Sequence, residues 1–250
     1  MLLAIDTCGA LGGVALGEVL SAENPSSQNR DPSTSSGQAL GRPHFFFREL
    51  AGKTYSELLH STIAEMLREV SVQIEQLSGV IVVHGPGSFT GIRIGVSAAK
   101  GLAEALGIPI IAISRLELLA RRASGSSAAA VLDAGRGEFF VGFYRSGVCE
   151  GELLLSRDSL PQAIADSGLP VLVCEPRVFD ALVGLTPEHV AVPGAVDALL
   201  VGASRFRAGS FDDVATLDAN YLRRSETEML TRIAEHATQR AARTAVSSGQ

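Results

Sequence analysis

The chain is short of cysteine, of paired histidines, of long apolar runs and of basic charge, and each shortage excludes a class of protein. Its three cysteines, Cys8, Cys149 and Cys174, are odd in number and too widely spaced for a disulfide framework or a zinc pattern. The expected compartment is the reducing cytoplasm. The histidines, His44, His60, His84, His189 and His236, include no i,i+4 pair, and no Cys–His cluster has ligand spacing, so no metal site is expected. No apolar run approaches the ~18–20 residues needed to span a membrane. Residues 1–7 lack a basic leader and are interrupted by Asp6, so they read as a first strand and not as a signal peptide. Lys and Arg number 21 against 27 Asp and Glu, a net charge of −6. A protein that grips nucleic acid alone usually neutralises phosphates with a basic surface. Autonomous nucleic-acid binding is therefore not expected, while a supporting place beside a basic partner stays open.

What is present suits a folded core: 46% of the 250 residues are hydrophobic and 19% charged. Leu2–Asp6 and Gly13–Glu18 flank a glycine-rich turn and predict a hairpin. Residues 21–43 then crowd Ser, Pro, Gly, Asn and Gln without one Val, Ile or aromatic side chain. Such a stretch cannot offset the entropy of ordering it, and it reads as a disordered insertion. Phe45–Leu50 predicts a third strand. Residues 53–70 predict an amphipathic helix, capped by Thr54 or Ser56, with Tyr55, Leu58, Leu59, Thr62, Ile63, Met66, Leu67 and Val70 at helical spacing. The stripe is wide, so it reads either as core or as a seam for a partner.

A strand at 79–83 leads through "HGPGSFTGIRIG" (84–95) into a helix ending near Leu106. Strand, glycine-rich turn and helix start together form a common anion cradle. Gly85 and Gly87 permit positive φ, and Ser88 or Thr90 can cap the helix. The motif is neither a P-loop, nor a dinucleotide fingerprint, nor a nucleophile elbow. The readings left open are anion binding and a purely structural turn. Asp6-Thr7 at the end of the first strand suits a magnesium–phosphate site or, equally, a capped turn. Within the helix Gly91, Gly95, Ala99 and Ala103 recur every four positions, so another backbone is expected to approach that face closely. Beyond it come a strand at 110–113, a helix to about 123, a strand–turn–strand unit over 128–144 and a strand near 153–155. A helix near 159–166, a strand at 171–174 and helices near 177–183 and 195–208 follow. The tail, 225–250, starts helical and frays. Hairpins joined to crossover helices make this an α/β chain.

The order "AIDTCGALGGVAL", "KTYSELL", "GPGSFTGIRIG", "AAKGLAEALGIPIIAISRLELLA", "LDAGRGEFFVGFY", "DANYLRR" closely resembles the bacterial TsaB (YeaZ) family, over most of residues 1–224. The resemblance implies an actin-like/sugar kinase/Hsp70 fold of two related α/β lobes, here expected at 1–106 and 107–215 with a C-terminal segment at 216–250. It implies a non-catalytic scaffold for the machinery that makes N6-threonylcarbamoyladenosine in tRNA. The expected partners are a catalytic TsaD-like paralogue and a TsaE-like ATPase, with tRNA met only through the complex and a homodimer when the chain is alone. Asp6, Thr7, Gly85, Gly87, Ser88, Thr90, Gly91 and Arg93 would form a vestigial nucleotide or phosphate loop. No cofactor is required by this chain, and ATP with magnesium would belong to the complex. The helices flanking the loop would form the partner face through Tyr55, Leu58, Leu59, Thr62, Ile63, Met66, Gly91, Gly95, Ala98, Ala99, Leu102 and Ala103. Tyr55 stands where many members have His. An independent ATP-binding enzyme of the same fold is the competing reading.

Overall fold

The computed structural model describes residues 1–18, 45–51, 54–182 and 184–222. The expected insertion at 21–43 and the tail at 225–250 lie outside the described residues. Two compact units account for the rest. The first combines Met1–Leu119 with Ala191–Asn220, and the second is built on Ala120–Val190.

The first unit carries a five-stranded sheet of order β3-β2-β1-β4-β5. β1 (Leu2–Asp6), β2 (Leu11–Gly17) and β3 (Phe45–Ala51) form an antiparallel meander, and β4 (Gly79–Val83) and β5 (Ile110–Ile113) add in parallel beside β1. β1 and β4 are buried at every position, as continuous apolar runs covered on both faces should be. α1 (Tyr55–Glu69) and α2 (Phe89–Leu106) cover the face that carries Ile5. α6 (Ala195–Arg207) covers the face that carries Ile81. Both connections from β1's side of the sheet into β4 and β5 pass through these helices, the usual route between parallel strands.

The second unit repeats the plan as β8-β7-β6-β9-β10. β6 (Ala128–Gly135), β7 (Glu138–Arg145) and β8 (Val148–Ser156) form the meander, with β9 (Val171–Val173) and β10 (Glu188–His189) parallel to β6. Ala129, Val131, Val141 and Val173 pack with Leu160 and Ile164 of α4 (Leu160–Ser167) in its core. α5 (Pro176–Phe179) is a single turn. Two copies of one mixed-sheet topology in a single chain are the actin-like fold expected from the sequence.

The division of the chain differs from the expected 1–106 and 107–215. β5 pairs with β4 and so draws 107–113, followed by α3 (Arg115–Ala120), toward the first unit. α6 packs on β1, β2, β4 and β5 and returns 191–220 to it as well. The packing is close: a Cβ on Gly202 would lie 2.5 Å from Ile81, and one on Gly17 2.7 Å from Leu199. β8 is also longer than the predicted 153–155, because its first half is exposed and carries no alternating apolar pattern.

Candidate functional site

The site is built where β1 ends against the loop that follows β4. Asp6 closes β1, and its Oδ1 accepts the Cys8 N–H at 2.9 Å, an Asx turn that bends the chain toward β2. Thr7 Oγ1 donates to the Gly91 carbonyl at 2.7 Å, and Cys8 Sγ donates to the Val83 carbonyl at 3.1 Å. The Ser88 N–H donates to the Cys8 carbonyl at 2.8 Å. Ser88 in turn caps α2, its Oγ accepting the Gly91 N–H at 3.2 Å. On the other side Tyr55 Oη donates to the Gly9 carbonyl at 3.0 Å. Arg115, at the start of α3, donates its N–H to the Gly85 carbonyl at 2.6 Å.

The glycines of the loop serve this packing. A Cβ on Gly87 would lie 2.3 Å from the Cys8 carbonyl oxygen, one on Gly91 2.1 Å from the Thr7 carbonyl oxygen, and one on Gly95 2.3 Å from Thr7 Oγ1. Gly85 adopts φ 113°, a left-handed conformation that other residues rarely take. The row of small residues along α2 therefore admits the chain's own strand end. This corrects the expectation that Gly91, Gly95, Ala99 and Ala103 face a partner, since all are buried inside the first unit. The same correction applies to Tyr55, Leu59, Ile63 and Met66 of α1, and to Ala98, which is nearly covered. Of the expected partner face, Leu58 is 44% exposed, and Thr62 and Leu102 are partly exposed.

The electrostatics are those of a sealed centre. Asp6 is 2% exposed, Thr7 0% and Arg115 7%. Burial pushes the Asp6 carboxyl above the ordinary range, and the Arg115 charge opposes the rise. Burial likewise pushes the Cys8 thiol and the Tyr55 phenol up, each reinforced by the Asp6 charge. The structure brings Asp6, Thr7, Gly85, Gly87, Ser88 and Gly91 together. Thr90 and Arg93 are exposed instead, and Arg93 lies over the Phe89 ring at 3.8 Å from its centroid. A nucleotide phosphate with magnesium would need Asp6 and the loop N–H groups to face open space. Asp6 is covered and holds Cys8, while the Ser88 and Gly91 N–H groups are taken by Cys8 and Ser88. As placed, these residues do not fit that group.

Sequence reasoning missed Arg115 and Cys8 as members of the centre. Arg115 had one signal, a charge two residues beyond the apolar strand Ile110–Ile113. Among the described residues no group of three His, Cys, Asp or Glu side chains is arranged to hold a metal ion, and no helix is long and apolar enough to cross a membrane.

Comparison with known proteins gives a consistent set of likenesses. Residues 47–152 match the family described as TsaD, tRNA N6-adenosine threonylcarbamoyltransferase. The tRNA threonylcarbamoyladenosine biosynthesis protein TsaB of Bacillus subtilis (strain 168) is 39% identical over 95 residues, 37% of this chain and 42% of that protein. The protein of the same name from Haemophilus influenzae is 37% identical over 75 residues, 30% of this chain and 32% of that protein. The match thus spans less than half the length of these curated relatives. Among solved structures, YeaZ from Pseudomonas aeruginosa superposes with a TM-score of 0.63 at 21% identity, over 87% of this chain and 98% of that one. A second Pseudomonas aeruginosa structure, described as similar to peptidase YeaZ, gives 0.65 at 22%, over 89% and 99%. These two likenesses show the shared fold, and over part of its length the chain is similar to the TsaB proteins.

Proposed function

We propose that this chain is a non-catalytic subunit in the synthesis of N6-threonylcarbamoyladenosine in tRNA, acting in the cytoplasm to hold and activate a TsaD-like catalytic partner that a TsaE-like ATPase joins. The observation that carries the reading is the packing at the end of β1. The Asp6 carboxylate and the Thr7 hydroxyl are buried and engaged with Cys8 and Gly91, and the Ser88 and Gly91 N–H groups are taken by Cys8 and Ser88. The chemistry then falls to a partner, and tRNA is met through that partner, in keeping with the net charge of −6.

The partner surface is narrower than the helical spacing suggested. It centres on the exposed side of α1 at Leu58 and Thr62. It continues into a groove of about 420 Å³ lined by His60, Ala64, Arg68, Gln73, Ile74 and Leu102, among others. Ile74 at its mouth is 36% exposed. A groove of mostly apolar lining beside an exposed leucine is the kind of surface that a second helix covers.

The test is a reconstituted threonylcarbamoylation of tRNA with the catalytic paralogue, the ATPase and the adenylate-forming enzyme. Omitting this chain should abolish turnover, and the chain alone should have none. Leu58→Asp should weaken co-elution with the paralogue while leaving the melting temperature of the free chain unchanged. Full turnover without the chain refutes the scaffold role. ATP hydrolysis by the lone chain that Asp6→Asn removes would establish the independent-enzyme reading in its place.

A further inference from the structure

β5 is the terminal strand on one side of the first sheet, and the chain returns along it after α6. Gly209 turns the end of α6 at φ 67°. Asp212 then bridges to Ile110, and its Oδ2 accepts the Ala112 N–H at 2.7 Å. Arg205 clamps this corner, donating to Asp212 Oδ2 at 3.1 Å and to the Ala112 carbonyl at 2.8 Å. Farther on, Lys100 Nζ of α2 donates to the Leu217 carbonyl at 2.9 Å. The segment ends on the glycine-rich loop. There the Asn220 N–H donates to the His84 carbonyl at 2.8 Å, and His84 Nδ1 lies 3.3 Å from the Asp218 carbonyl. A Cβ on Gly85 would stand 3.2 Å from the Asn220 carbonyl oxygen. Residues 208–220 thus form a strap from the rim of the sheet to the start of the loop.

The strap is fastened by polar contacts. Among the described residues 208–220 only Ala219 is buried, and Phe211 is 46% exposed. α6 just before it buries Ala195, Ala198 and Leu199. A segment with few buried apolar contacts opens at a lower free-energy cost than the core beside it. The stretch under the strap meets Cys8 on its other side. Cys8 Sγ donates to the Val83 carbonyl at 3.1 Å, and the next carbonyl along, that of His84, is the one the strap takes. The His84 N–H donates to the Ile113 carbonyl at 3.1 Å, and the Gly85 carbonyl accepts the Arg115 N–H at 2.6 Å. Residues 83–85 therefore lie between the strap, the end of β5 and the Cys8 thiol. The strap is pinned at both ends of that contact, to Ala112 and to His84.

We propose that residues 208–220 are a detachable strap that keeps the Asp6–Cys8 centre sealed. Ahead of any unfolding of the first unit it lifts from Ala112, Lys100 and His84 together, and residues 83–85 then move off Cys8. The strap is a switch of access. With it fastened, Cys8 is 1% exposed and Asp6 2%. With it lifted, the thiol and the carboxyl meet solvent. This switch belongs to the fold of the first unit, and it holds whether or not the chain serves a catalytic partner.

The experiment labels the full chain with iodoacetamide, a small neutral thiol reagent, and resolves the cysteine peptides by mass. Cys149 is exposed and should react at once, while Cys8 and Cys174 are buried and should react only through opening. Cys174 lies in the second unit and reports openings that do not involve the strap. Lys100→Met and Asp212→Ala each remove a pin. Each should speed Cys8 labelling roughly tenfold, as the loss of a hydrogen bond to a charged group does, with the Cys174 rate unchanged. Arg48→Met removes a 2.6 Å ion pair to Glu69 elsewhere in the first unit and should leave the Cys8 rate at the parent value. Amide exchange at Ala112 and Asn220 should quicken in step with Cys8. The rates are compared in variants whose circular dichroism matches the parent, and Lys100→Met, on a helix, is the milder change. An unchanged Cys8 rate in either strap variant overturns the proposal. Equal acceleration of Cys8 and Cys174, or acceleration by Arg48→Met, means a general loosening and overturns it as well. Exchange that quickens at Asn220 while Cys8 stays protected shows a strap that moves without opening the centre, and this too overturns it.

Discussion

At the end of β1 the Asp6 carboxylate accepts the Cys8 N–H at 2.9 Å, and at the end of β6 the Asp133 carboxylate accepts the Gly135 N–H at 2.8 Å. Each is the same Asx turn, at the same step of the same sheet topology, once in each unit. Asp6 is 2% exposed, whereas the Asp133 side chain is 24% exposed and lies 4.0 Å from Arg177. The cause is the connection that follows the first parallel strand. In the first unit β4 feeds the glycine-rich loop and a helix of 18 residues that rests on β1. In the second, β9 feeds a helix of 4 residues, whose preceding Glu175 accepts the Asp133 N–H at 2.6 Å. One strand end is closed by backbone packed on backbone, the other by side chains at the surface. A shared topology therefore does not decide whether a strand-end acid is open to a ligand. The crossover element does.

The comparison breaks most readily at the glycines. Gly91→Ala forces a methyl group to 2.1 Å from a backbone oxygen and should destabilise the chain by about 3 kcal/mol, as overpacked cores do. Gly151→Ala in β8, where no atom lies within 4 Å, should change stability by less than about 0.5 kcal/mol. Urea titrations of both variants measure the contrast, and equal costs would mean that the first strand end yields as easily as the second unit.

Thr7→Val keeps the shape but leaves the Gly91 carbonyl without its 2.7 Å donor. The expected loss is about 1–2 kcal/mol, read from the same titrations. Ser88→Ala removes a cap at an exposed helix start and should cost about 1 kcal/mol. Ser159→Ala, before α4, removes no side-chain cap and should cost about half of that or less. A Ser159→Ala penalty as large as that of Ser88→Ala would show that capping does not separate the two units.

The smallest effect is a slope. Burial raises the Asp6 carboxyl in the folded chain, so the folded state holds its proton at pH values where the unfolded chain, near 3.8, has released it. Stability from this group is greatest below that value and is lost as pH rises through the folded-state value. In Asp6→Asn, which retains an acceptor for Cys8, this falling contribution should be absent. Thermal melts from pH 3.5 to 7 on both proteins should show the parent losing ground to the variant as pH rises, and parallel curves would count against a buried carboxylate.

Much of the fold was legible. Leu2–Asp6, the hairpin at Ala134–Gly137 and the helices near 55–69 and 89–106 follow from apolar spacing and turn residues that tertiary structure did not override. The partner of each apolar face was not legible. The row Gly91, Gly95, Ala99 announces a close neighbour, but spacing cannot say whether that neighbour is Thr7 of the same chain or another molecule. α6 shows the same limit: its apolar face is clear in sequence, while its seat on the first sheet depends on contacts with Ile81 and Leu2 more than 100 residues away. Arg115 was passed over because a charged residue after a strand ordinarily meets solvent, and here it meets the Asp6 charge.

The chain path through the units has a consequence for biosynthesis. The first sheet begins with residue 2, yet the helix that covers its α6 face ends at residue 207. During synthesis that face, with Leu2, Ala4 and Ile81 on it, stays open to water until the whole of residues 120–190 has been made. The strands of the second sheet all lie within Ala120–Val190 and can pair while the first sheet still waits. The sheet begun first is covered last, and a ribosome stalled before residue 195 would present a nascent chain with the strands of both sheets made and the first sheet bare on a single side.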